Sequence, residues 1–252
     1  MRCKSILKNI ALQLYSVRED CKEDFIGVLQ KVAKMGYTEV EFAGYGNIPA
    51  KKMKEALTEY GLTSVGAHIN IGRLTTDFEE EFEYNSEIGT EYIICSWSLF
   101  ETKDMVLKNC EILNKIAEKV SQRGKKFAYH NHSHEFKVFD GEFGLDIFYK
   151  NTDSALIKAE LDVCWVANAG LDVCDYISKL GSRVTMLHLK ELGKDGPKDG
   201  SDFGEGVIDF AKIIELGKKI GCEHYIVEHT EFKSTPLEGV KADIDYLCSL
   251  NI

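Results

Sequence analysis

Four stretches of this chain run from apolar residues into groups that bind metal ions or move protons. Lys125 to Phe136 reads KKFAYHNHSHEF, where Phe127, Ala128 and Tyr129 lead into His130, Asn131, His132, His134 and Glu135. The stretch IKAELDVCW reaches Asp162, VTMLHLKE reaches His188, and HYIVEHTE reaches Glu228. A set of carboxylates and imidazoles is a mixed oxygen and nitrogen donor set, which suits manganese, magnesium, cobalt or zinc. A lone His or Asp at the end of an apolar run is more often a capping group than a ligand. Four such groups in one place weigh differently, because a buried cluster of unpaired charge is costly and a cation compensates it directly.

The elements that must position these groups follow from periodicity. Strand-forming runs at Asn9–Val17, Thr38–Ala43, Leu62–Asn70, Tyr92–Trp97, the stretch Lys125–Phe136 that opens as a strand at Phe127–Tyr129, Ile157–Val163, Val184–Leu189 and His224–Glu228 alternate with helical patterns. Those patterns cover 25–35, 49–60, 76–88, 103–123, 145–149, 172–180, 209–220 and 236–250, and Gly36, Gly61, Gly89, Gly124, Gly181 and Gly221 close most of them. Eight alternations predict right-handed crossovers, a parallel sheet and closure into a single α/β domain, a (β/α)8 TIM barrel spanning 1–252. An open doubly wound sheet would usually carry a glycine fingerprint after its first strand, and YSVREDCKED has none.

Active-site groups of a barrel sit at the C-terminal strand ends. There this sequence places Gln13 and Tyr15, Glu41, His68 and Asn70, Ser96 and Trp97, then His130, His132 and Glu135, Asp162 and Trp165, His188 and Lys190, and Glu228 and His229. The acidic stretch 77–83 reads as a solvated helix face, and the glycine-rich loop at 193–206, which lacks a phosphate-binding pattern, reads as a lid or partner surface.

The chain has 252 residues, 44% hydrophobic and 29% charged, with a formal charge of −10. So acidic a chain has no general attraction for a phosphate backbone, which argues against nucleic acid as a partner. Eight scattered cysteines without a CxxC pair read as free thiols of a reducing cytoplasm. No signal peptide or membrane-spanning run is evident.

The segments LQLYSVRED (12–20), MGYTEVEFAG (35–44), YHNHSHEF (129–136), ELDVCWV (160–166), LHLKE (187–191), GEGVIDF (204–210) and YIVEHTEF (225–232) occur in this order. In them the chain resembles the sugar phosphate isomerase/epimerase superfamily, the xylose-isomerase-like barrels, over nearly its whole length. The resemblance implies one divalent metal held by Glu, Asp, His and Glu from strands five to eight. Asp162, His188 and Glu228 match that pattern. Relatives carry Glu where His130 stands here, so Glu135 is assigned as the remaining ligand with His130 as its rival.

The implied chemistry is proton abstraction beside the carbonyl of a small carbohydrate through a metal-stabilised enediolate. The base is His132 or Glu228, tuned near neutral pH. Lys190 steadies the developing oxyanion unless it merely pairs with Glu191. Gln13, His68, His130 and Trp165 contact substrate. Isomerisation or epimerisation comes first and dehydration second, since all start from the same intermediate. An endonuclease-type phosphodiester hydrolase and a non-catalytic sugar- or partner-binding barrel are the rivals from other classes. A homo-oligomer remains open.

Overall fold

The structure, a computed structural model, describes residues 10–198 and 200–250. Eight parallel strands close into a barrel: β1 (Ile10–Gln13), β2 (Glu39–Phe42), β3 (Thr63–Asn70), β4 (Tyr92–Trp97), β5 (Lys126–His130), β6 (Ile157–Asp162), β7 (Val184–Leu189) and β8 (His224–Val227). Each pairs with its neighbours in sequence, and β1 closes on β8 through Ile10 opposite Tyr225. Most predicted strands and helices hold with small shifts at their ends, but Leu14–Val17 of the first predicted strand form a 3-10 helix and the helix expected over 25–35 runs from Arg18 to Met35. Asn9 of the first predicted strand lies outside the described residues.

Three local predictions change. The helix expected over 76–88 is Phe78–Glu87, and an unexpected short helix, Ile71–Thr76, precedes it across Asp77. Its acidic face is not wholly solvated: Glu81 is buried, accepts from Tyr45 Oη at 2.9 Å and meets Arg73 Nε at 2.9 Å. The cysteines are not all free thiols either. Cys248, in the helix Pro236–Ser249, is disulfide-bonded, a state that sequence spacing could not display. The free-thiol argument for a reducing compartment therefore rests, among the described residues, on Cys21, Cys95, Cys110, Cys164, Cys174 and Cys222.

Side chains alternate across a strand, so every second residue enters the barrel. That alternation builds a layered interior. Ala11, Val65, Ile94, Ala128, Met186 and Ile226 form a fully buried apolar layer in the middle. Two residues further along β5, β7 and β8 the interior turns polar, at His130, His188 and Glu228. The apolar layer seals this polar floor from the N-terminal end, and outward residues such as Leu161 and Leu187 pack under the helices. No described helix is long and apolar enough to cross a membrane.

The opposite end of the barrel holds a second buried polar knot. His224 Nδ1 lies 2.9 Å from Glu39 Oε2, and Nε2 lies 3.2 Å from Glu91 Oε2. Burial pulls the His224 pKa down, but its bond to Glu39 and the charges of Glu39, Glu91 and Glu223 outweigh that and leave it raised. A histidine whose folded pKa is raised contributes stability in full below its unfolded value, about 6.5, and loses it as pH climbs through the folded value. Urea unfolding of wild type and His224→Gln should therefore differ by about 1–2 kcal/mol at pH 6, a hydrogen-bonded charge being worth that much. The difference should shrink towards pH 9; a gap independent of pH would exclude the imidazolium as its source.

Candidate active site

The C-terminal rim assembles its polar groups from seven of the eight strands. Asp162 ends β6 and is also the N-cap of the short helix Val163–Asn168, an element absent from the sequence-based expectation. Its Oδ1 accepts from the backbone N–H of Cys164 at 2.9 Å and of Trp165 at 3.4 Å. Aspartate suits this role because its short side chain reaches the orphan N–H groups of a first turn. Capping fixes the carboxylate and leaves Oδ2 buried without a hydrogen-bond partner, an oxygen free to accept a proton or bind a cation.

His188 is fully buried on β7 and is held from both sides. Nδ1 lies 3.0 Å from Glu228 Oε2, and Nε2 lies 2.8 Å from Glu41 Oε2. Lys190 Nζ donates to Glu228 Oε1 at 3.2 Å and sits over the Trp165 ring at 4.9 Å, so its partner is Glu228 and not Glu191. Glu191 instead pins the glycine-rich loop, its carboxylate accepting from the N–H groups of Leu192, Gly204 and Ile208, each at 3.0 Å.

His130, Asp162, His188 and Glu228 bring one donor atom each within 4.8 Å of one another, and all four are buried. Two carboxylates and two imidazoles fit a divalent cation, and the unpartnered Asp162 Oδ2 is what such an ion would complete. Glu135 is not in this group. It lies past the strand in the turn His134–Phe136, where Oε1 accepts from Tyr129 Oη at 2.9 Å and Oε2 from the His132 N–H at 2.8 Å. The turn folds Glu135 back beneath the tip of β5 as its brace. His130, two residues along the inward face from Ala128, is the β5 group that reaches the other three.

The electrostatics follow from burial and pairing. Burial raises the Glu228 carboxyl, but Lys190 and His188 outweigh it and hold it well below the usual range. Burial disfavours the His188 charge, yet Glu160 and Glu41 keep its pKa well above the ordinary value. Burial lifts Asp162 to about 7 despite Lys190. Burial depresses His132 to about 3, with its ring packed edge-on to Trp97 and His130. Tuning near neutrality thus falls on Asp162 and on the brace Glu135, about 7 through burial, and not on His132 or Glu228 in the metal-free protein.

A cavity of about 630 Å³ opens above these groups, lined among others by Gln13, His68, Trp97, His132, Trp165 and Lys190. Gln13 faces it but is tied down: Nε2 donates to Glu41 Oε2 at 2.6 Å, and Oε1 accepts from the Tyr15 N–H. His68 is likewise engaged, its Nε2 2.7 Å from Glu160 Oε2 and 2.9 Å from Glu41 Oε2. Glu160 was not singled out as a site residue in the sequence. The signal was its spacing of two from Asp162, which puts both on the inward face of β6.

A family profile described as xylose isomerase-like TIM barrel matches residues 29–250. The chain belongs to this family. Among characterised relatives of this xylose isomerase-like barrel is inosose dehydratase of Mesomycoplasma hyopneumoniae strain 7448, 24% identical over 270 residues that cover 90% of this chain and 88% of that protein. A sugar phosphate isomerase/epimerase from Parabacteroides distasonis ATCC 8503 superposes with a TM-score of 0.86 at 25% identity, covering 96% of this chain and 98% of that one. The structure of IOLI protein with a binding zinc atom shares the fold with a TM-score of 0.75 at 14% identity, covering 96% and 98%.

Proposed function

We propose that this family member is a divalent-metal-dependent enzyme that abstracts a proton next to the carbonyl of a small sugar or sugar-derived ketone, giving an isomer or epimer. The observation that carries this reading is four buried donors converging beneath one open cavity. His130, Asp162, His188 and Glu228 would hold the ion, which when bound supplies Lewis-acid stabilisation of charge developing on a substrate oxygen.

The chain's own groups do the rest. Glu228 is the carboxylate positioned to take the proton, and Lys190, hydrogen-bonded to it, places a positive charge beside the developing oxyanion. His132 is neutral over the physiological range and offers an imidazole from β5 as the second proton-handling group. Trp97 and Trp165 wall the cavity with apolar rings. The zinc of the IOLI protein and the activities named for the relatives support this choice of cofactor and substrate class.

A second reading, elimination of water from a ketone such as an inosose, is favoured by His130. Exchange of a proton between two facing carboxylates needs a carboxylate on β5, and an imidazole stands there. The likeness to inosose dehydratase supports the same outcome. Proton NMR in D₂O, with manganese and a panel of ketohexoses and inososes, tests both. Enolisation appears as exchange of the proton beside the carbonyl for deuterium; isomer signals then indicate the first outcome and an unsaturated ketone the second. No exchange with any of these ketones would overturn the reading.

A further inference from the structure

Beside the four donors lies a second group, two of whose members, His68 and Glu160, the proposed chemistry does not use. His68, His130, Glu160 and His188 each bring a donor atom within 4.8 Å of the others. His68 Nε2 is 2.7 Å from Glu160 Oε2, and His188 Nε2 is 3.4 Å from the same oxygen. Glu41 Oε2 adds a second oxygen, 2.9 Å from His68 Nε2 and 2.8 Å from His188 Nε2. The His68 and His188 rings are nearly parallel, at 11°, with centroids 5.3 Å apart.

His130 shows that this group is incomplete as a hydrogen-bonded knot. Its side chain is 1% exposed, and Nδ1 approaches Glu160 Oε2 to 3.1 Å without a hydrogen bond to it or to anything else. Glu160 Oε1 and Glu41 Oε1 are also buried and unpartnered. Unsatisfied buried polar atoms are costly. A cation among these oxygens and ring nitrogens would remove that penalty.

We propose that the barrel has a second seat for a divalent cation, the deep seat, which takes Glu160 one inward position down β6 from Asp162 and is built from His68, His130, Glu160 and His188 with Glu41 alongside, alternative to the rim seat. The two seats share His130 and His188, and a neutral imidazole has one free lone pair, so each ring serves one ion at a time. The ligand sets differ in kind. The rim seat offers two imidazoles and two carboxylates, whereas the deep seat is richer in imidazole, which suits zinc and cobalt better than manganese or magnesium. An ion in the deep seat withdraws two donors from the rim, so zinc held there would be unproductive. This goes beyond the proposed activity, which concerns the rim seat, although both seats draw on the same histidines.

The test is zinc binding by isothermal titration, with cobalt absorption as a second readout, on full-length protein. In the variant Asp162→Asn/Glu228→Gln, which strips the rim seat of its charge, one equivalent of zinc should remain bound within about tenfold of the wild-type affinity. Adding Glu160→Gln or His68→Gln should weaken it by at least about 100-fold. Cobalt in the first variant should give the intense visible bands of a four-coordinate site, lost on the further change. If the double variant does not fold, Asp162→Asn alone is compared with Asp162→Asn/Glu160→Gln. Loss of zinc in the rim variant, or zinc binding indifferent to Glu160 and His68, overturns the proposal. Turnover is read separately, with manganese, so failure of the enzymatic reading leaves this result standing.

Discussion

Asp162→Asn is expected to reduce manganese-dependent turnover by about three orders of magnitude or more, and manganese affinity by about 100-fold. The substitution isolates charge from structure. The asparagine carbonyl still accepts from the N–H groups of Cys164 and Trp165, so the helix Val163–Asn168 keeps its cap. What disappears is the anionic, unpartnered Oδ2. A melting temperature within a few degrees of wild type, with turnover gone, is the expected pattern; turnover retained with manganese would remove Asp162 from the ligand set. A pH dependence accompanies it. Burial holds the Asp162 carboxyl near 7, and a ligand must be deprotonated to bind, so wild-type manganese affinity should decline as pH falls through about 7.

Glu228→Gln carries the second large effect, a fall in turnover of about 10²–10⁴-fold, the usual worth of a positioned proton acceptor. Glutamine keeps the shape but can neither take the proton nor balance charge. It also leaves Lys190 and His188 buried beside a neutral amide, where breaking a buried pair costs about 3–5 kcal/mol. Stability and catalysis should therefore separate in a double variant. Glu228→Gln/Lys190→Met removes one uncompensated charge and should recover part of the lost stability in urea unfolding, while turnover stays lost. Recovery of turnover would mean that Glu228 acts only as the counter-charge of Lys190.

The rim of the barrel was largely written in the sequence. Eight alternations of strand and helix specify closure because parallel strands need right-handed crossovers, and closure puts every strand end on one rim. Asp162, His188 and Glu228 were recognisable there as the last inward residues of apolar runs. Lys190 was visible as well, but its partner was not, since Glu191 is adjacent in sequence and Glu228 only in space.

What the sequence could not express was how far a side chain travels after its strand ends. Glu135 looked like the missing carboxylate, yet the turn after β5 folds it under Tyr129 and the His132 N–H, and His130 reaches the other donors. Glu160 was hidden for another reason. Its place on the inward face follows from period two, but its partners are 92 and 30 residues away: His130 stands beside it on the paired strand β5, and His68 of β3 reaches it only across the closed barrel. Residue types and alternation decide which groups can face inward. Only the closed barrel decides which of them meet, because contact across its interior depends on strand register and tilt, which no local pattern encodes.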